Sequence, residues 1–123
     1  MKQFVVLMLA LGLWCNKVIS QELPLKKETA FKEGEVLTYR LKYGFITAAE
    51  ATIRVKETDK KFDDKPTFNL VVDARTSGTF DIFYKVRDHY DSYIDKVKLT
   101  PYFYQENIRE GSYRRQDKAR FYQ

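Results

Sequence analysis

The sequence contains few cysteines, which cross-link small proteins, and few prolines and glycines, which interrupt strands and helices. It has one cysteine (Cys15), three prolines, five glycines and one histidine among 123 residues. A lone cysteine excludes an internal disulfide, so packing must stabilise the fold. There is no Gly-x-Ser-x-Gly motif and no phosphate-cradling glycine loop. We therefore expect a non-catalytic protein that needs no cofactor.

Long apolar runs are absent except at the beginning of the chain. Lys2 precedes an apolar segment at residues 4–14, and a short pattern, VIS, follows at residues 18–20. The segment is shorter than the roughly 20 apolar residues that a membrane-spanning helix needs. These features predict a secretory signal peptide over residues 1–20, cleaved after Ser20. The protein is therefore expected to be periplasmic or otherwise extracytoplasmic.

An alternative reading of this segment is a lipoprotein signal that acylates Cys15. That reading is disfavoured because Trp14, rather than a small residue, precedes the cysteine. Cleavage after Ser20 would leave about 103 residues without cysteine, enough for one domain. The formal net charge would fall from +5 to about +3, which indicates solubility rather than a strongly anionic partner.

Alternation of apolar and polar residues dominates the remainder of the chain. A polar leader at residues 21–30 precedes it, and a β-domain is predicted over residues 31–123. The period of two is typical of half-buried strands, and no helix is expected after the signal peptide. Six strands are predicted, near residues 37–43, 45–55, 67–75, 80–91, 102–108 and 113–121. Their spacing favours an all-β antiparallel meander, forming a curved sheet or a partly open β-barrel.

The connections between these strands carry ordinary turn residues. A hairpin is expected around residues 44–47, where Gly44 tolerates positive φ. Asp63 and Asp64 are interpreted as turn residues rather than a catalytic carboxylate pair, and residues 76–78 (TSG) as another turn. Pro101, which cannot donate to a ladder, is expected at the start of its strand.

Small side chains on the inner face of the second strand are informative. Ala48, Ala49 and Ala51 are poor strand formers, yet the residues around them sort cleanly onto two faces. Their small size would leave room for a large aromatic side chain from a neighbouring strand.

The apolar face is therefore the candidate binding surface, and it could receive an acyl chain or a hydrophobic partner segment. The expected partner is a lipid or an envelope protein. The alternative is a structural part of a larger envelope protein, in which the same residues are ordinary core. The candidate ligand-binding residues on the concave face are Tyr39, Phe45, Phe68, Ile82, Tyr84 and Asp88.

Charged residues near the middle of the chain have structural interpretations. Asp88 falls on the apolar side, so burial would require a partner, for which Arg114 or Arg115 is expected. His89 and Asp91 share the opposite side of the same strand and are interpreted as polar surface rather than a metal site.

Basic and aromatic residues interleave over residues 102–122, a pattern that can hold single-stranded nucleic acid. Export argues against that partner, and acidic residues dilute the patch. We therefore expect no nucleic acid.

Several short motifs resemble the DUF3108 family, a bacterial exported group of unknown function. They are Phe31, Gly34-Glu35, Leu37-x-Tyr39, Tyr43-Gly44, Ala49-Glu50-Ala51, YKVRDHYDSYID, Leu99-Thr100-Pro101 and EGSYRR, and the resemblance covers residues 31–121. It implies an extracytoplasmic β-rich domain and supplies no active site. Ala49 stands where the family usually has glycine. Family members generally continue further, which implies that this chain is the front part of a longer domain.

Overall fold

The structure, a computed structural model, describes residues 31–123 and shows one open antiparallel sheet. The predicted signal peptide and polar leader lie outside the described residues. The strands are β1 (Val36–Tyr43), β2 (Ile46–Lys56), β3 (Lys61–Phe62), β4 (Lys65–Thr76), β5 (Arg87–Asp95), β6 (Pro101–Glu110) and β7 (Tyr113–Arg120), and the helix is α1 (Gly78–Phe83). The sheet order is β1-β2-β4-β5-β6-β7, with the two-residue β3 paired to β4. The prediction of an all-β antiparallel meander is confirmed, with the sheet unclosed within residues 31–123.

Tight turns connect neighbouring strands, and those at Gly44 and at Asp63–Asp64 lie at the predicted places. Gly44 (φ 60°) and Gly111 (φ 56°) each occupy the first position of a two-residue hairpin loop. Asp63 and Asp64 have φ values of 49° and 60°, as the two central residues of a type I′ turn require. Pro101 begins β6, as expected for a residue without an amide proton.

The predicted strand at residues 80–91 is wrong in its first half, because residues 78–83 form α1. Phe83 breaks the alternation there. Phe80, Phe83 and Tyr84 stand at the i, i+3 and i+4 spacing of one helical face, whereas Phe80, Ile82 and Tyr84 fit the period of a strand, so the segment carries both patterns. Local contacts favour the helix, since Thr76 Oγ1 and Arg87 Nη1 each donate to Asp81 Oδ1 at 2.7 Å.

The sheet sorts its side chains onto an apolar and a polar face. Cross-strand partners on the apolar face are Leu37, Tyr39, Leu41, Ala49, Ala51, Ile53, Phe68, Leu70, Val72, Ala74, Tyr90, Ile94, Tyr104 and Ile108. The polar face carries Arg40, Glu50, Arg54, Asp73, Arg75, His89, Asp91, Gln105, Asn107, Gln116 and Lys118. The sequence alternation predicted this division over β1, β2 and β4. At the β6–β7 end, Glu106, Arg115 and Asp117 also lie on the apolar face.

A small aromatic cluster stabilises one end of the polar face. The β3–β4 hairpin places Phe62 in a stack with Tyr102 and Phe103, with centroid distances of 5.8 and 6.1 Å. The Arg120 guanidinium lies 4.5 Å from the Phe62 centroid. Thr67, which is fully buried, donates its hydroxyl to the carbonyl of Lys60 at 2.7 Å. The hairpin therefore packs firmly on β5 and β6.

The apolar face has no second layer among residues 31–123. An amphipathic sheet ordinarily buries its apolar face against another element, and here only the six-residue α1 covers part of it. All eight residues of β1 are consequently exposed. In the same part of the chain, no helix is long and apolar enough to cross a membrane.

Candidate functional site

A groove with an alanine floor crosses the apolar face beside α1. Leu41 of β1, Ala49 of β2 and Thr76 of β4 lie opposite one another across three strands. Tyr39, Ala51 and Ala74 form the next such row. We call this surface the alanine groove: its floor is Ala48, Ala49, Ala51 and Ala74, and its walls are Tyr39, Leu41, Tyr43, Phe80, Phe83, Tyr84 and Val86.

Small floor residues between tall walls create the depth of the alanine groove. Alanine rises little above the sheet, whereas Leu41 and Tyr43 of β1 and Phe80 and Phe83 of α1 project above it. The rings of Tyr43 and Phe80 meet edge to face, with 6.4 Å between their centroids. Two adjoining cavities result, of about 400 and 240 Å³, which share Leu41, Ala49 and Thr76. The prediction that these alanines leave room for an aromatic is therefore half right, since the aromatics come from α1 and leave the floor open.

Hydrogen bonds fix α1 in place as the second wall. Ser77 donates its backbone N–H to Ala48 and its hydroxyl to Thr47, both at 3.0 Å. Arg87 holds Asp81 through two nitrogen–oxygen contacts of 2.7 and 3.0 Å. The hydrogen bond from Arg87, followed by that from Thr76, lowers the pKa of Asp81 to about 2.

The far end of this wall rests on a glycine of the β6–β7 turn. A Cβ at Gly111 would lie 2.8 Å from Cε2 of Tyr84, so any other residue there would displace the ring from this position. The amide of Gly111 also donates to the carbonyl of Lys85 at 2.8 Å. The turn therefore positions Tyr84 over the alanine groove.

Polar groups at the alanine groove are few and mostly satisfied. Thr76 Oγ1 donates to Asp81 and accepts a hydrogen bond from the amide of Val86 at 2.9 Å. Lys42 is the charged residue that lines the larger cavity, and Glu50 and Arg75 line the smaller one. An occupant would therefore meet carbon on nearly every side.

The candidate binding residues from the sequence separate into two groups. Tyr39 and Tyr84 line the alanine groove. Phe45 is fully exposed in the β1–β2 turn, and Ile82 is largely exposed on α1. Phe68 lies on the apolar face beneath Lys96, whose Nζ is 5.1 Å from the ring centroid. The structure thus brings two of the six side chains together at the groove.

Asp88 is buried, as predicted, but the expected arginine partners are wrong. Its Oδ1 accepts a hydrogen bond from the backbone N–H of Arg109 at 3.0 Å. Arg114 donates to the carbonyls of Gly111 and Tyr113 instead. Arg115 is likewise engaged elsewhere, with Glu106 and Asp117. A hydrogen bond with Asp88, together with its charge, raises the pKa of Glu110. Asp88 is adjacent to the groove floor through Ala74 but does not line either cavity.

The polar face contains a chain of hydrogen bonds that sequence reasoning missed in part. His89 Nδ1 lies 2.6 Å from Asp73 Oδ1, and His89 Nε2 lies 2.9 Å from Asp91 Oδ2. Arg54 extends the chain by donating to Asp73 at 2.8 Å, and Gln105 by donating to Asp91 at 3.1 Å. The sequence placed His89 and Asp91 on one face. It did not provide the β4–β5 register that brings Asp73 opposite His89.

Interactions within this chain of hydrogen bonds shift the pKa values of His89 and Asp91. The hydrogen bond with Asp73 is the largest influence on His89, and it raises the pKa of the imidazole above 6.5. Burial alone would raise the pKa of Asp91, but hydrogen bonds from Gln105 and His89 outweigh it and lower the pKa. Within residues 31–123, no group of three or more ligating side chains has the arrangement of a metal site.

Comparison with known proteins yields one family. A family model described as a protein of unknown function (DUF3108) matches residues 38–123. No curated protein and no solved structure matches the chain. The match covers both walls and the whole floor of the alanine groove.

Proposed function

Because the chain belongs to the DUF3108 family, whose function is unknown, we propose a role from its surface: a non-catalytic, exported envelope module that binds the acyl chain of a lipid-like ligand. The observation that carries the proposal is the alanine groove. Four small side chains hollow the apolar face where larger residues would have filled it. A sheet face that serves only as core is packed to high density.

The size and lining of the groove favour a hydrocarbon occupant. The larger cavity, about 400 Å³, falls within the range of roughly 300–1,000 Å³ that is usual for small-molecule sites. The 240 Å³ cavity continues it along the sheet, so the combined shape is elongated. Apolar and aromatic side chains dominate both linings, as expected for a site that removes methylene groups from water.

The satisfied polar groups argue for an acyl chain over a peptide segment. An extended peptide would bring backbone N–H and C=O groups into the groove, and each buried group needs a partner. Thr76 already uses its hydroxyl for Asp81 and Val86 and has little hydrogen-bonding capacity left. A hydrocarbon chain requires no partner there.

The proposal predicts that filling the floor abolishes binding. Ala49 lines both cavities, so Ala49→Leu should obstruct the groove and weaken binding of a fluorescent long-chain fatty acid by about tenfold or more. Fluorescence titration of the purified protein measures the change. The matched control is Ala119→Leu, which adds the same side chain on the same face of β7, away from the groove.

Two results would contradict the ligand-binding role. One is equal fatty-acid affinity in wild type and Ala49→Leu, while Ala119→Leu also binds normally. The other is native mass spectrometry of protein purified from its own envelope that shows no co-purifying lipid and no uptake of added fatty acid. The latter would favour the alternative, a structural part of a larger envelope protein.

A further inference from the structure

The two edge strands of the sheet, as described over residues 31–123, differ in character. β7 carries five charged side chains among its eight residues, Arg114, Arg115, Asp117, Lys118 and Arg120. Charged side chains on an edge oppose pairing with another strand. β1, with the sequence VLTYRLKY, carries two charges and no proline, and all eight of its residues are exposed. Its edge has little protection against pairing.

The backbone of β1 presents an ordered set of unpaired groups. Val55 donates its N–H to the carbonyl of Glu35 at 2.9 Å, which fixes the phase of the β1–β2 ladder. Because bonding direction alternates along an antiparallel strand, odd-numbered residues of β1 face β2 and even-numbered residues face outward. The outward N–H and C=O groups are those of Val36, Thr38, Arg40 and Lys42.

We propose that β1 pairs with β1 of a second copy of this chain, antiparallel about a two-fold axis at Tyr39, so that two sheets join into one. The inference is independent of the proposed ligand. Two residues directly opposite each other in an antiparallel pair project their side chains from the same face of the sheet. A two-fold axis between two copies of β1 must therefore lie where a residue faces the same residue of the second copy. An axis at Tyr39 places Leu37 opposite Leu41 of the second copy and Thr38 opposite its Arg40.

Neighbouring registers fit less well. An axis at Arg40 would set two guanidinium groups directly opposite, and like charges in that position repel. An axis at Thr38 would pair only residues 36–40 of the strand, whereas the axis at Tyr39 pairs residues 36–42. In the Tyr39 register, Arg40 also keeps its bond to Glu50, whose Oε2 is 3.1 Å from Nε, so its charge is offset.

Pairing in this register would also benefit the apolar face. Leu37, Tyr39 and Leu41 are 42%, 58% and 67% exposed, which leaves much apolar surface at the edge. Each would gain a cross-strand neighbour from the second copy on the same face. Self-complementary apolar rows thus favour a second copy over an unrelated strand.

A proline scan of the outward positions tests the interface. Thr38→Pro removes an outward donor without touching the β1–β2 ladder, and we expect the dimer dissociation constant to rise about tenfold or more. Sedimentation velocity over a concentration series measures it, with circular dichroism to confirm a folded sheet. Gln116→Pro is the matched control. Phe121 donates to the carbonyl of Tyr102, so the peptide groups of Gln116 also face outward, but on β7.

Cysteine cross-linking tests the register and avoids proline. In a Cys15→Ser background, Tyr39→Cys should form an intermolecular disulfide on oxidation. The two copies of residue 39 would form a non-hydrogen-bonded antiparallel pair, in which the Cα atoms lie about 4.5 Å apart. Leu37→Cys is the control on the same face. Its two copies would be offset by four residues, about 13 Å, and should not link.

Each outcome decides the proposal. Dimeric wild type and Gln116→Pro, monomeric Thr38→Pro and cross-linking at Tyr39 support it. A monomeric wild type that does not cross-link at Tyr39 would overturn it, as would dissociation by both prolines alike. Cross-linking through Arg40→Cys instead of Tyr39→Cys would overturn the register.

Discussion

At the scale of single residues, His89 contacts one aspartate close to it in the sequence and another on a neighbouring strand. It lies between Asp73 and Asp91 and contacts a carboxylate through each ring nitrogen. The folded protein therefore binds the proton of His89 more tightly than the unfolded chain does, so the pKa of His89 is raised above 6.5. It is also the only histidine in the sequence, so its titration can be observed alone.

The raised pKa predicts a specific pH dependence of stability. Protonated His89 should stabilise the fold fully below pH 6.5, and this contribution should disappear as the pH rises through the folded-state pKa. Urea unfolding at a series of pH values should show the free energy of unfolding falling as the pH rises from 6.5 through the folded-state pKa. His89→Gln, which keeps a polar side chain without the titration, should flatten that slope. An NMR-measured His89 pKa at or below 6.5 would contradict the prediction.

The residue scale also shows what the sequence could and could not predict about the site. Alternation placed Tyr39 and the alanines on the apolar face, and both line the groove. The partner of Asp88 could not be predicted by matching charges, because the donor is the backbone N–H of Arg109. Asp73 was missed beside His89 because register depends on the turns between strands.

At the scale of elements, α1 decides whether the alanine groove has a second wall. Sequence periodicity predicted five of the six longer strands nearly in full, four of them from clear alternation and β7 from a weaker pattern. It could not distinguish a strand from a helix at residues 78–83, where apolar residues fit both periods. The deciding contacts involve Asp81, Thr76 and Arg87, which are polar and carry no periodic signal.

Removing the carboxylate of Asp81 should loosen α1 without unfolding the sheet. Asp81→Asn loses the ion pair with Arg87, and we expect faster amide hydrogen exchange over residues 78–86 and about two- to fivefold weaker fatty-acid binding. The pKa of Asp81 is lowered to about 2, so its contribution is present above pH 3.8 and is lost as the pH falls towards 2.

Asp117→Asn provides the comparison, since it removes an exposed aspartate from an ion pair with Arg115 on the distant β7. Exchange over residues 78–86 should not change in this variant. If Asp81→Asn behaves in the same way, the polar contacts do not hold the wall and the helix is stabilised by other packing.

At the scale of the whole molecule, one physical feature underlies both proposals. A single sheet layer cannot bury its own apolar face, so within residues 31–123 the fold leaves Tyr39, Leu41, Tyr43 and Phe83 in contact with solvent. Contiguous exposed apolar surface of this kind marks interaction sites in soluble proteins. The alanine groove would accommodate a ligand on the face, and β1 would accommodate a second copy at the edge.

The first 20 residues of the sequence predict the cellular compartment in which this exposed apolar surface lies. We expect that the protein expressed in a bacterial host is exported and cleaved after Ser20, so that intact-mass measurement finds a chain beginning at Gln21. Cys15→Ser tests the alternative signal, because a lipoprotein route requires that thiol and signal-peptide cleavage after Ser20 does not. Unchanged processing of this variant, with Gln21 as the first residue, would support the secretory signal. Loss of processing would instead assign the segment to lipid attachment at Cys15, and a full-length chain beginning at Met1 in the cytoplasm would contradict export altogether.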